Sequence, residues 1–192
     1  MKCYNNAIPV SLLNRLDREL QILPWFFVEN TAYGSQSQND ENAKFSWQHV
    51  TMIDGKQNSY ISPFIELLIM ATLDNCDISY SEILRIRFGM TTWVPTKVAH
   101  EAHIDRDEPH KVGLIYLNDS DGDTILYNEK YDDSSKVSSL EYYTNVLNKQ
   151  LTIEKSVNPV KNKMICFDGY QYHSSSCPIK TNNRIVLNFN FI

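Results

Sequence analysis

From residue 82 onward the chain is a succession of short β-rich runs separated by turn residues, broken only at 130–148, and the longer helical periodicities come before. The runs cover 83–90, 112–118, 124–128, 151–154, 164–168 and 184–192. Helices that come first and strands that follow, without regular alternation, predict an α+β, mainly β domain built on an antiparallel sandwich or barrel and not an alternating α/β fold. Two helices are expected to pack on that sheet. One spans about 11–22, where Leu12, Leu13, Leu16 and Leu20 fall near helical spacing before Pro24 stops it. The other opens with Ser62 as cap and Pro63 at the first helical position, and carries Phe64, Ile65, Leu68 and Leu73 on a broad apolar face. The polar stretch 34–59, with isolated aromatics at Phe45 and Trp47, reads as long loops or short edge strands. The stretch 130–148 reads as an insertion with a short helix. At 192 residues, without repeats or linkers, the chain is expected to form one domain, with helical support over about 1–80 and a strand core over about 82–192.

The balance of 18 Lys and Arg against 23 Asp and Glu gives a net charge of −5, which argues against a nucleic-acid or anionic-membrane partner. The longest apolar run, 63–73, carries Glu66 and is far short of the roughly 20 residues of a membrane span. The first residues have no basic segment followed by an apolar one, so no export is expected. Four cysteines at 3, 76, 166 and 177 form no C-x-x-C pair and fit reduced thiols, which places the chain in the cytoplasm.

Metal chemistry enters at His103-Ile104-Asp105. On an extended segment residues two apart project from one face, so this imidazole and this carboxylate can reach one ion. Two histidines and one carboxylate leaving open positions form the facial triad of non-haem Fe(II) oxygenases. His173, 68 residues beyond Asp105 and just after the strand-like run 163–169, is the candidate third ligand. Eleven residues later Arg184 opens the last strand. There Ile185, Leu187, Phe189 and Phe191 share one face, while Arg184, Val186, Asn188 and Asn190 share the other, a polar side suited to solvent or to a polar cavity.

Taken in order, His103-Ile104-Asp105, Leu114-Ile115-Tyr116-Leu117-Asn118, Asp121-Gly122-Asp123-Thr124, 161–173 and Arg184-Ile185-Val186-Leu187-Asn188 carry a resemblance. The chain resembles the 2-oxoglutarate and Fe(II)-dependent oxygenases of the prolyl 4-hydroxylase-like group, including small versions encoded by phages. The resemblance covers roughly residues 82–192. It implies a double-stranded β-helix, a jelly roll of cupin-like shape, with N-terminal helices on its major sheet. It also implies Fe(II) held by His103, Asp105 and His173, 2-oxoglutarate as cosubstrate, O2, and ascorbate as a candidate reductant. Arg184 is then expected to pair with the distal carboxylate of 2-oxoglutarate, since a buried anion is tolerated only when paired. Tyr116 is expected to give its hydroxyl to the same group, and Thr124 is a further pocket residue whose turn departs from the family's Gly-Gly-Glu-Thr. The implied activity is hydroxylation of an unactivated C–H bond with release of succinate and CO2, on a peptidyl proline for preference or on a small molecule. In a phage the setting would be the host cytoplasm.

His100-Glu101-Ala102-His103 is not a zinc-protease motif, because H-E-x-x-H needs histidine where Ile104 stands. His100 and His110 are ordinary loop histidines or neighbours of the substrate, and His49 has no supporting context. Arg184 as an edge-strand charge, Tyr116 as a core residue, and Asp119, Asp121 and Asp123 as a solvated turn are the bland alternatives. A second arginine six residues after the first, expected of a nucleic-acid demethylase of this fold, is absent, since Asn190 stands there. The alternative from another class is a non-catalytic jelly roll that binds a metal or a sugar. Retention of His103, Asp105, His173 and Arg184 together argues for the enzyme.

Overall fold

The computed structural model describes residues 1–29, 45–131 and 151–192. The expected insertion at 130–148 and the first part of the polar stretch fall almost wholly outside them. In chain order the elements are β1 (Lys2–Tyr4), α1 (Val10–Leu20), β2 (Phe26–Val28), β3 (Ser46–Ile53), β4 (Lys56–Gln57), α2 (Ser62–Asn75), β5 (Ile83–Thr92), β6 (Lys111–Tyr116), β7 (Thr124–Lys130), β8 (Ile153–Val157), β9 (Met164–Asp168), β10 (Gln171–Ser175) and β11 (Asn183–Phe191). Two antiparallel sheets result. The large one runs β1-β9-β6-β11-β5-β3-β2 with β4 attached to β3, and the small one runs β10-β7-β8. Bridges from Ala99 to Ser176 and from His103 to His173 lay the segment before β6 along β10 as a further extended strand. This is the expected jelly roll.

The alternation read in the last strand positions the core. Leu187, Phe189 and Phe191 of β11 join Ile86 and Phe88 of β5, Ile115 of β6 and Met164 of β9 on the outer face of the large sheet, against Leu16 of α1 and Ile65, Leu68, Ile69 and Leu73 of α2. Each such side chain contributes roughly 1.5–3 kcal/mol when fully buried. The inner face carries a second cluster, with Leu114, Tyr116, Ile165, Phe167 and Val186 meeting Leu126 and Val157 of the small sheet. Gly113 is required on the outer face, because a methyl there would lie 2.1 Å from the Phe189 ring.

Three expectations are corrected. Ser62 is the first residue of α2 and Ile61 precedes it without a side-chain cap. The Ser62 hydroxyl instead donates to the Thr51 carbonyl at 2.5 Å and accepts the Ser59 amide at 3.0 Å, because the turn before the helix folds back onto β3. Within 45–59, β3 is an eight-residue strand paired on both sides, with β5 and β2, and not a loop or an edge. The N-terminal 80 residues are also not helical support alone, since β1 pairs with β9 and β2, β3 and β4 extend the large sheet. Among the described residues no helix is long and apolar enough to cross a membrane.

Candidate metal centre and carboxylate pocket

His103 and His173 are direct cross-strand partners. Their backbones exchange both hydrogen bonds, at 2.9 and 3.0 Å, which brings the ring centroids to 4.6 Å. Asp105 goes the other way. The chain bends after the bridge, and Asp105 reaches across to the large sheet, where its Oδ1 pairs with Arg85 Nη2 at 2.7 Å and lies 3.7 Å from Arg87 Nη2. Its Oδ2 accepts the side-chain amides of Asn188 at 3.1 Å and Asn190 at 2.9 Å. The ligand atoms offered by His103, Asp105 and His173 all lie within 4.8 Å of one another. One face of a single ion can therefore take all three, and the site sits between the two sheets.

Protonation states suit a cation. His103 Nδ1 donates to the Glu101 carbonyl at 3.1 Å and His173 Nδ1 donates to the Gln171 carbonyl at 3.2 Å. Each bond fixes the tautomer that leaves a lone pair on Nε2. Burial, reinforced by neighbouring His173, drives the His103 pKa down to about 3, and burial likewise lowers that of His173, so both rings are neutral. Burial alone would raise the Asp105 carboxyl, but Arg85, followed by His173 and Arg87, outweighs it and holds Asp105 ionised well below the usual range.

A cavity of about 70 Å³ connects this centre to a second cluster, and its walls include Arg87, His103, Thr124, His173, Arg184 and Asn188. Arg184 is only 4 % exposed and lies on β11, flanked by β5 and β6, which removes the edge-strand reading. Arg184 Nη2 donates to Thr124 Oγ1 at 2.7 Å, Tyr116 Oη donates to the same oxygen at 2.8 Å, and the guanidinium lies 5.7 Å from the Tyr116 ring centroid. Burial raises the Tyr116 pKa and lowers that of Arg184. Two donors saturate the Thr124 oxygen, so its own proton needs another acceptor, and the buried Arg184 Nε has no hydrogen-bond partner. The cluster is short of acceptors. A carboxylate supplies them.

The Asp-Gly-Asp-Thr turn that sets Thr124 is not merely solvated. The Asp121 carboxylate accepts the amides of Ile179, Lys180 and Thr181 and the Thr181 hydroxyl. Gly122 beside it leaves no room for a side chain, since a Cβ would stand 2.6 Å from the Ser176 carbonyl and 3.1 Å from Arg184 Cδ. The Asn118 side chain accepts the Ile185 amide at 2.8 Å and donates to the Asn183 carbonyl at 3.0 Å, which pins the start of β11. His100 bonds to the Ser175 hydroxyl, His49 bridges the Pro24 carbonyl and the Ser59 hydroxyl, and His110 packs on Gly169. None of the three joins the His103–Asp105–His173 cluster. Arg85, Arg87, Asn188 and Asn190 are the additional residues around Asp105, and the available signal was their spacing, R-x-R and N-x-N at the strand period. A larger groove of about 640 Å³, walled by Tyr4, Asp77, Lys111 and Phe167, contains none of the candidate ligands.

No protein-family model matches the chain, and no curated protein sequence matches it. Its fold is nevertheless that of solved 2-oxoglutarate-Fe(II) oxygenases. A 2OG-Fe(II) oxygenase family oxidoreductase from Burkholderia pseudomallei superposes with a TM-score of 0.66 at 14 % identity, covering 97 % of this chain and 81 % of that one. A prolyl-4-hydroxylase from Pseudomonas putida gives 0.53 at 15 % identity, covering 99 % and 91 %. The non-haem α-ketoglutarate-dependent epimerase SnoN of nogalamycin biosynthesis gives 0.64 at 10 % identity, covering 99 % and 77 %.

Proposed function

We propose that the chain forms a single Fe(II)- and 2-oxoglutarate-dependent dioxygenase domain that hydroxylates an unactivated C–H bond. The observation that carries this is that one cavity is lined by His103 and His173 of the His103–Asp105–His173 donor set and by Arg184 and Thr124 of the acceptor-poor Arg184–Thr124–Tyr116 cluster. Iron with 2-oxoglutarate and O2 supplies, when bound, the oxidative decarboxylation that yields succinate and CO2 and the hydroxylation coupled to it. His103, Asp105 and His173 hold the metal on one face, and their carbonyl, arginine and asparagine partners fix how each presents its lone pair. Arg184 neutralises the distal carboxylate through a charge-assisted pair, and Tyr116 and Thr124 orient it. The apolar wall of Leu114, Leu126 and Val186 keeps bulk water from the reacting centre.

A peptidyl proline is the preferred substrate, a reading supported by the likeness to the Pseudomonas putida prolyl-4-hydroxylase, and the likeness to an epimerase keeps small molecules in view. Its four free cysteines accord with work in a reducing cytoplasm. Anaerobic addition of Fe(II) and then 2-oxoglutarate to the purified protein is expected to produce the visible charge-transfer band of a chelated keto acid. His103→Ala should abolish the band, and Arg184→Ala should demand far more cosubstrate. Succinate release is then screened with proline-containing peptides. Folded, iron-loaded protein without the band would instead be a non-catalytic jelly roll.

A further inference from the structure

Five glycines fall within the described residues, and the fold accounts for four of them. Gly55 has a φ of +69°. A Cβ would stand 2.1 Å from the Phe189 ring at Gly113, 2.6 Å from the Ser176 carbonyl at Gly122 and 2.3 Å from the His110 ring at Gly169. Gly89 has neither reason. Its φ lies outside the left-handed region, and among the described residues a Cβ there would meet Val186 Cγ2 alone, at 3.5 Å, an ordinary contact. It sits inside β5, paired in regular register with Gln48 of β3 and Val186 of β11, and the register shifts of both ladders fall elsewhere. Glycine weakens the interior of a central strand, and where no bulge or tight turn calls for it, it marks the close approach of a ligand. The side of approach is the cavity, whose wall includes Gly89.

Two residues further along β5 the same face carries Thr91. It is 4 % exposed, lines the cavity and stands directly opposite Arg184 in the sheet. Its hydroxyl has no hydrogen-bond partner among the described residues, nor has Arg184 Nε, and the Thr124 hydroxyl still has a proton to give. Three donors, drawn from β5, β7 and β11, thus face one end of the cavity, and buried donors are costly to leave unpaired.

Resting on the oxygenase reading, we infer that β5 forms a second wall of the cosubstrate pocket. Thr91 gives its hydroxyl to the distal carboxylate of 2-oxoglutarate beside Arg184, and Gly89 is the bare floor under the carbon chain leading to the keto-acid end. The order of residues along the strands supports this. Arg184 and Thr91 form one cross-strand pair, Val186 and Gly89 the next, and Asn188 and Arg87 the one after, beside Asp105. The anion-binding pair is separated from the metal side by one apolar pair without bulk on β5, which suits a keto acid whose charged ends are joined by methylene groups. Gly89 is then a specificity-determining residue, because a methyl group added to it enters a cavity of only about 70 Å³.

Calorimetric titration of two keto acids into Mn(II)-loaded protein tests this. 2-Oxoglutarate carries the distal carboxylate, and 2-oxopentanoate has the same carbon chain with a methyl group in its place. Thr91→Val keeps the shape and removes the hydroxyl. It should weaken 2-oxoglutarate by about tenfold to a hundredfold, the span of a hydrogen bond to a charged group, and leave 2-oxopentanoate unchanged. Thr91→Ser should restore most of the loss. Gly89→Ala should weaken both keto acids by about tenfold or more through overpacking, while its Tm equals or exceeds that of wild type. Mn(II) binding, read in the same samples, should stay unmoved in all three variants. The inference is overturned by Thr91→Val protein that binds 2-oxoglutarate as wild type does, or that loses Mn(II) or both keto acids alike. It is equally overturned by Gly89→Ala protein that keeps both affinities or melts well below wild type. Wild type that binds Mn(II) but neither keto acid refutes the oxygenase reading itself, a result distinct from wild type and variants that bind 2-oxoglutarate equally well.

Discussion

Arg184→Met separates a residue held for a ligand from one held for the fold. In the ligand-free protein the guanidinium is 4 % exposed, donates to Thr124 at 2.7 Å, faces Tyr116 at 5.7 Å and leaves Nε without a hydrogen-bond partner. Taking an ion out of water costs several kcal/mol. Against that stand about 1.5–3 kcal/mol for the bond to Thr124 and roughly 0.5–2 kcal/mol for the aromatic contact. Methionine fills much of the same volume without the charge, and Thr124 keeps the Tyr116 donor. The ligand-free variant is therefore expected to be unchanged or more stable by up to about 2 kcal/mol, a rise in Tm of roughly 4–8 °C for a chain of this size. The response to cosubstrate should invert. Wild type at 100 times Kd gains about 2.7 kcal/mol from 2-oxoglutarate, and the variant gains almost nothing. Calorimetric melts with and without Mn(II) and 2-oxoglutarate read both effects. A ligand-free loss above about 2 kcal/mol would make Arg184 a strut of β11, and equal stabilisation by 2-oxoglutarate would remove it from the cosubstrate pocket.

Two further outcomes follow from the same contacts. Asn190→Ala and Asn188→Ala each remove one amide from Asp105 Oδ2 and should weaken Mn(II) binding by about 10–100-fold, read by fluorescence competition, while the far-ultraviolet spectrum stays native. For Asp121, the slight burial would raise the carboxyl, but the Thr181 and Ile179 donors outweigh it and set the pKa at about 2. Because the folded value lies below the unfolded one near 3.9, the stabilisation is complete above about pH 4 and disappears as pH falls through 2. Asp121→Asn should therefore lower Tm at pH 7 and flatten the decline between pH 4 and pH 2, as followed by melts across that range.

The sequence made legible those strands that carry a run of apolar residues toward the helices. β11 and β9 show this, since Leu187, Phe189 and Met164 belong to the core under α1 and α2. β3 and β10 escaped because they build the cavity. Ser46 and Gln48 of β3 and His173, Ser174 and Ser175 of β10 line it, so the positions that would mark a buried face are polar and resemble a loop. In β3 a register shift between Val50 and Met52 adds to this by changing which residues face inward halfway along. The candidate metal ligands were legible as residue types at strand spacing, and Arg184, Tyr116 and Thr124 through resemblance. Their supporting residues were not, because R-x-R on β5 acquires meaning only beside N-x-N on β11. In the sheet Arg85 stands opposite Asn190, and Arg87 opposite Asn188.

That register also explains why His103 and Asp105 do not act as two neighbours on one strand face. Spacing by two residues would have kept both in the small sheet, with Asp105 pointing at the cavity from the same wall as His103 and His173. The bend after the His103 bridge sends the carboxylate to the large sheet instead, into a socket of two arginines and two asparagines drawn from β5 and β11. The imidazoles thus belong to one wall of the sandwich and the carboxylate is held by the other. A metal held by all three residues would join the two sheets, and its binding would favour their docking. The chain tolerates a buried aspartate, two arginines at strand spacing and two inward-facing asparagines between the sheets because each amide and cation has the Asp105 carboxylate as partner.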